Sequence, residues 1–169
     1  MFLKKLFSNK EQTVMNEVLV APATGKLVAL EEVPDPVFSQ KMMGDGLAFN
    51  PIEGEIVAPV DAEVIQVFPT KHAIGLKTEN NIEILIHIGL ETVSMKGEGF
   101  EVFVKEGDQV KKGQKLVTFD LDLIREKAKS TITPIVITNF DDVVGKLEKT
   151  TAETLIKGET SFMTVVPKN

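Results

Sequence analysis

From Val18 onward the chain is a succession of short runs, rich in apolar and β-branched residues and closed by Gly, Pro, Asn or Asp. The runs are Val18–Ala21, Gly25–Leu30, Gly54–Ala58, Glu63–Phe68, Ala73–Lys77, Ile82–Ile88, Glu101–Val104, Lys115–Phe119, Ile135–Thr138 and Phe162–Val166. Turn signals recurring every ~8–12 residues are the pattern of a sandwich or barrel. The expected fold class is therefore all-β, an antiparallel β-sandwich or barrel with one or two short helical segments. One such segment is Leu121–Ala128, made of good helix formers behind Asp120 in the N-cap place. Another helical turn fits within Pro36–Gly44, where Val37, Phe38, Lys41 and Met42 share a helical period.

A repeat supports a duplicated architecture. Val20-Ala21-Pro22-Ala23-Thr24-Gly25-Lys26-Leu27-Val28 recurs 37 positions later as Val57-Ala58-Pro59-Val60-Asp61-Ala62-Glu63-Val64-Ile65. A third stretch, Val104–Leu116, has a related turn with two glycines. Such repeats in a β protein suggest strand–turn–strand units closing on one core. At 169 residues and 43% hydrophobic content the chain suits one domain. Residues 1–16 read as a flexible tail and residues 17–169 as that domain.

Composition removes many functions. The chain has no Cys, Trp or Tyr, and its only histidines are His72 and His87. Without Cys there are no disulfides, thiol nucleophiles or Cys-type zinc sites. A net charge of −6 argues against nucleic-acid binding, which needs a basic face. No apolar stretch approaches the ~18–20 residues of a membrane-spanning helix. With no signal peptide in evidence, the expectation is a cytoplasmic protein. Phe2, Leu3, Leu6 and Phe7 share a helical face, with Lys4 and Lys5 on the other. Residues 1–7 thus have two readings, a weak contact with a membrane surface or a tail with stray apolar residues. Neither G-x-S-x-G nor G-x-x-x-x-G-K-[ST] occurs, so serine-hydrolase and nucleotide-loop chemistry have no foothold.

The histidines carry positional information. Ile82, Ile84, Ile86 and Ile88 alternate with Glu83, Leu85 and His87, which predicts a strand with its isoleucines inward and Leu85 and His87 on the other face. Thr78-Glu79-Asn80-Asn81 is a turn cluster joining it to His72–Lys77. A two-residue loop at Glu79-Asn80 places His72 directly opposite His87, with Cβ atoms ~4.5–5.5 Å apart. A loop at Asn80-Asn81 makes them diagonal neighbours. A paired imidazole suits phosphoryl transfer, because it is a nucleophile near neutral pH and a good leaving group once phosphorylated. One ring can take the phosphoryl group while the other donates to its oxygens. Thr70, two residues before His72, is a candidate to orient the second ring. Without a nucleotide loop, the phosphoryl donor must be another protein. Two histidines also make half of a tetrahedral zinc site, so zinc at His72 and His87 requires ligands from a partner.

These residues sit among motifs that resemble the glucose-type enzyme IIA family of the bacterial sugar phosphotransferase system. The resemblance spans residues ~17–167 (single-domain scale). Its carriers are Pro34-Asp35-Pro36-Val37-Phe38, Lys41-Met42-Met43-Gly44-Asp45-Gly46, Ala58-Pro59-Val60-Asp61, Thr70-Lys71-His72-Ala73 and His87-Ile88-Gly89-Leu90-Glu91-Thr92-Val93. They continue with Lys96-Gly97-Glu98-Gly99-Phe100, Phe119-Asp120-Leu121 and Lys127-Ala128-Lys129-Ser130-Thr131-Ile132-Thr133-Pro134. The resemblance implies an antiparallel β-sandwich with His87 as phosphoryl acceptor and His72 stabilising the phosphoryl group. It further implies that Thr70 supports His72 and that the Gly89 carbonyl orients the His87 ring. Two partners are implied: the phosphocarrier HPr as donor, and a cysteine on the IIB domain of a IIB/IIC sugar permease as acceptor. The implied docking surface is an exposed apolar depression formed by Val37, Phe38, Met42, Met43, Phe68, Leu85 and Val93. Asp35 and Glu91 would meet a basic rim on the partner. No cofactor is implied, and a monomer is the default for a carrier that needs an open face.

Three other readings compete. Val104–Leu116 resembles a biotinyl or lipoyl carrier turn, but no lysine follows in Phe119-Asp120-Leu121-Asp122-Leu123. A zinc peptidase would need more histidines than the chain has. The alternative compatible with the residues is a regulatory binding protein using the same phosphorylation-switched surface, since a phosphoryl group adds a charge of about −2.

Overall fold

The computed structural model describes residues 15–169, so residues 1–7 lie outside the described part. Among the described residues fourteen strands follow one another. They are β1 (Glu17–Val20), β2 (Gly25–Ala29), β3 (Asp45–Pro51), β4 (Glu55–Val57), β5 (Ala62–Val67), β6 (Ala73–Lys77), β7 (Glu83–His87) and β8 (Phe100–Val102). The second part holds β9 (Gln109–Val110), β10 (Lys115–Phe119), β11 (Thr133–Ile137), β12 (Val144–Lys149), β13 (Thr154–Leu155) and β14 (Ser161–Pro167). Three short helices interrupt them: α1 (Pro36–Ser39), α2 (Leu121–Lys127) and α3 (Phe140–Val143). The strands form an antiparallel β-sandwich from one eight-stranded sheet, ordered β13-β2-β3-β11-β7-β6-β5-β9, and two three-stranded sheets, β1-β14-β12 and β4-β10-β8.

The sequence repeat is visible as an approximate two-fold relation. The two Val-Ala-Pro copies hydrogen-bond each other reciprocally: Val20 N–H donates to Pro59 O (2.9 Å) and Val57 N–H to Pro22 O (2.8 Å). The third stretch is not another copy but the partner of the second. Gly113 N–H donates to Ala58 O, just as Gly158 N–H donates to Ala21 O in the other half. The sheet orders carry the same symmetry. Strands β4–β10 form one half without interruption, and β1–β3 with β11–β14 form the other. The halves meet where Val136 of β11 lies opposite Leu85 of β7. Gly46 opposes Val136 and Gly75 opposes Leu85, which makes these pairs equivalent.

Alternation along β7 divides its residues between two apolar clusters. Ile84 and Ile86, with Ile82 and Ile88 beside the strand, join the main core between the sheets, where Phe49 and Phe162 pack edge to face at 5.3 Å. Leu85 joins a second cluster with Leu30, Val33, Phe38, Ala48, Ala73, Leu90 and Val136 on the other face. The histidines stand at the edge of this second cluster.

Local chemistry explains the helices. Asp35 caps α1, its Oδ1 accepting from Val37 N–H at 3.0 Å, and Pro36 sits at the first helical position where no N–H is needed. Helix α1 stops at Ser39, shorter than the Pro36–Gly44 span, because Lys41 and Gly44 take positive φ values of 59° and 120°. Asp120 caps α2 in the same way, accepting from Leu123 N–H at 3.1 Å.

Candidate functional site

The site begins with the turn between β6 and β7. Thr78 N–H donates to Ile82 O, and Asn81 N–H donates to Thr78 O, both at 2.9 Å. The loop is therefore three residues, Glu79–Asn81, with Asn81 at φ 65° in the left-handed region that asparagine tolerates. This corrects both two-residue loops considered from sequence. Ala73, not His72, lies opposite His87. His72 nevertheless reaches its partner because it precedes the strand. The chain turns back between Phe68 and Ala73, with Phe68 N–H donating to Ala73 O at 3.1 Å and Lys71 at φ 64°. The two imidazoles meet edge to face, centroids 4.8 Å apart and planes at 81°.

Each ring is held at Nδ1. Nδ1 of His87 lies 2.8 Å from Gly89 O and must donate to it, because a carbonyl only accepts. Nε2 is then the basic nitrogen. Nδ1 of His72 lies 2.7 Å from Thr70 Oγ1, a contact the hydroxyl can serve as donor. Phe38 covers His87 at 5.1 Å between centroids, and Phe68 stands edge-on to His72 at 5.6 Å. Burial pushes the His72 pKa down to about 4, aided by the neighbouring His87. Burial also lowers the pKa of His87, against the opposing pull of the Gly89 carbonyl and the Asp35 charge. Both rings are therefore neutral near pH 7.

The rings open onto a depression of about 340 Å³ lined by Asp35, Val37, Phe38, Met43, Phe68, Leu85, Glu91 and Val93 together with the histidines. Three sequence expectations need correction. Met42, 68% exposed, does not line this depression; with Met43 it lines a neighbouring one beside Asp45, Thr138 and Asp141. Phe38 and Leu85 are 3% and 6% exposed, so they form the floor rather than an exposed contact surface. The exposed apolar rim is Val37, Met43 and Val93.

Gly89 is conformationally demanding. Its φ is 73°, and an added Cβ would lie 2.7 Å from Thr92 Cγ2 and 2.9 Å from Ser130 O. Thr92 and Thr133, passed over from sequence, are fully buried beside it. Their only sequence signal is a hydroxyl within a mostly apolar stretch, His87–Val93 for one and Thr131–Ile137 for the other. As metal ligands, His72 and His87 offer two nitrogens with both Nδ1 atoms engaged. Among the described residues no group of three or more His, Asp or Glu is placed to hold an ion.

The family model for the phosphoenolpyruvate-dependent sugar phosphotransferase system, EIIA 1, matches residues 17–143. A PTS system glucose-specific EIIA component from Bacillus anthracis is 58% identical over 165 residues, covering 98% of this chain and 99% of the relative. One from Halalkalibacterium halodurans is 55% identical over 163 residues, covering 96% of this chain and 94% of the relative. The solved structure of glucose permease IIA from Mycoplasma capricolum superposes with a TM-score of 0.82 at 40% identity, covering 89% of this chain and 96% of that one. Among the described residues no helix is long and apolar enough to cross a membrane. The chain belongs to the EIIA 1 family of the phosphoenolpyruvate-dependent sugar phosphotransferase system.

Proposed function

We propose that the chain is a cytoplasmic phosphoryl carrier, which takes a phosphoryl group from phospho-HPr onto Nε2 of His87 and passes it to a cysteine on the IIB domain of a glucose-type permease. The observation that carries this reading is the 2.8 Å contact between His87 Nδ1 and Gly89 O, which leaves Nε2 as the nucleophile. On arrival the N–P bond of the donor breaks and a bond from phosphorus to Nε2 of His87 forms. Positive charge then grows on the ring and is felt at Nδ1–H, where the Gly89 carbonyl stabilises it. On departure a cysteine thiolate attacks phosphorus, the P–Nε2 bond breaks, and the ring leaves as neutral imidazole.

His72 has a different task. A ring whose pKa is about 4 is neutral, so it carries one proton. If Thr70 donates to Nδ1, that proton sits on Nε2 and can reach a phosphoryl oxygen of the neighbouring ring. Transfer needs positioning and charge stabilisation more than acid–base work. The apolar rim of Val37, Met43 and Val93 offers a dry contact for either partner, and Asp35 and Glu91 favour a basic one.

The test is incubation with enzyme I, HPr and phosphoenolpyruvate. The wild type takes up one acid-labile, base-stable phosphate and His87→Ala takes up none. Phosphate retained by His87→Ala would refute the assignment.

A further inference from the structure

The segment Ile88-Gly89-Leu90 has partners for all six of its peptide polar groups. Ile88 N–H donates to His72 O (2.7 Å) and Leu90 N–H to Ser130 O (2.9 Å), while Leu90 O accepts from Lys129 N–H (3.1 Å). Gly89 O accepts from His87 Nδ1. The remaining two groups, Ile88 C=O and Gly89 N–H, belong to a single peptide unit. That unit is bound at both ends by threonine hydroxyls. Thr92 Oγ1 donates to Ile88 O at 2.6 Å, and Gly89 N–H donates to Thr133 Oγ1 at 3.3 Å. Thr133 Oγ1 in turn donates to Thr131 O at 3.0 Å, which directs its lone pairs toward Gly89.

We infer that Thr92 and Thr133 are positioning residues that determine which nitrogen of His87 is free, by locking the Ile88–Gly89 peptide. The inference rests on the reading of His87 as phosphoryl acceptor. Three observations support it. Both side chains are fully buried, where a hydroxyl is favourable only if its hydrogen bonds are made. They come from separate parts of the chain, Thr92 from the 3-10 turn Thr92–Met95 and Thr133 from the start of β11, yet converge on one peptide. That peptide precedes a glycine at φ 73°, a residue free to adopt either sign of φ when nothing holds it. Rotation of this segment would withdraw Gly89 O from Nδ1, and the ring would lose the contact that keeps its proton there.

The experiment uses the full chain labelled with 15N-histidine, observed by NMR without any phosphoryl donor, and then an initial-rate phosphorylation assay. Wild type, Thr92→Ser and Thr133→Ser are expected to show the His87 proton on Nδ1. Thr92→Val and Thr133→Val, similar in shape but lacking the hydroxyl, are expected to show it shared with Nε2. In the valine variants phosphorylation should slow about tenfold, with the His72 tautomer unchanged. Folded valine variants with wild-type tautomer and rate would overturn the inference. If one valine variant fails to fold, the other carries the same prediction. If both fail, the serine variants decide it, since loss of tautomer and rate despite a retained hydroxyl overturns it. The tautomer is read on unphosphorylated protein, so a wild type that takes no phosphate would refute the carrier reading and leave this result standing.

Discussion

Where β7 ends in His87 and the turn before β6 carries His72, the equivalent positions in the other half, after β11 and before β3, carry Thr138 and Met43. The two ends share a face of the same sheet and a common backbone plan. Their chemistry differs. Beside Thr138, Asp45 is paired within the chain: it meets Lys149 at 2.8 Å and Lys41 at 3.6 Å, and Lys41 also reaches Glu31 at 3.2 Å. Burial works against ionisation of Asp45, but Lys149, the Gly46 amide and Lys41 outweigh it and hold its pKa below the usual range. Around the histidines, neither Asp35 nor Glu91 forms an ion pair among the described residues. Asp45 at one end is paired within the chain, whereas Asp35 and Glu91 at the other are not. The duplicated fold supplies a frame, and the proposed activity lies in side chains placed on one copy of it.

Substitutions can break this comparison, the largest effect first. Gly46 and Gly75 occupy equivalent places, but an added Cβ at Gly46 would lie 1.9 Å from Ile135 O, whereas at Gly75 the nearest atom is 3.4 Å away. Gly46→Ala should therefore cost about 3 kcal/mol or more in urea unfolding, and Gly75→Ala about 1 kcal/mol or less. Equal costs would mean the halves pack alike.

A second test uses acid. The His72 pKa in the folded protein, about 4, lies below the ordinary 6.5, so as pH falls the unfolded chain takes up the proton first. Stability from keeping this ring neutral is complete above pH 6.5, falls as the pH drops, and is gone once the pH passes below about 4. Its span is about 3 kcal/mol. In His72→Gln, which does not titrate there, that part of the pH–stability curve should flatten. An unchanged curve would show that the ring titrates normally.

His72→Gln should also accept phosphate yet pass it to IIB more slowly, by roughly 10–100-fold for loss of one oriented donor. Equal transfer rates would remove His72 from the mechanism. The smallest effects concern docking. Val93→Asp, at a rim position 56% exposed, should weaken HPr binding about tenfold without altering the fold. Met42→Asp, at the other end, should leave binding within about twofold. Phe38→Asp is a poor probe, because a charge in that buried place would damage the cluster beneath the histidines.

Much of this was legible in the sequence, for physical reasons. The alternation along Ile82–Ile88 assigned both faces of β7 correctly, since a strand has a period of two. Asp120 marks a helix start because a capping carboxylate acts locally. Strand β3 is not legible in the sequence: Asp45, Gly46, Asn50 and Pro51 look like turn residues. Yet Gly46 is there because β11 passes too close for a side chain. Strand β12 was missed because it is a sheet edge, where Lys146, Glu148 and Lys149 replace the apolar alternation. Hairpin register was missed by one residue because Asn81 takes a left-handed conformation that composition does not announce. Thr70 is near His72 in sequence and was found, whereas Thr133 is 44 residues from Gly89 and could be found only in three dimensions.

The claim that Gly89 selects Nε2 of His87 as the acceptor is tested most directly by 15N NMR of the phosphorylated protein labelled with 15N-histidine. Phosphorus coupling at Nε2 of His87, with the proton retained on Nδ1, is the predicted result. Coupling at Nδ1 of His87, or at either nitrogen of His72, would contradict it.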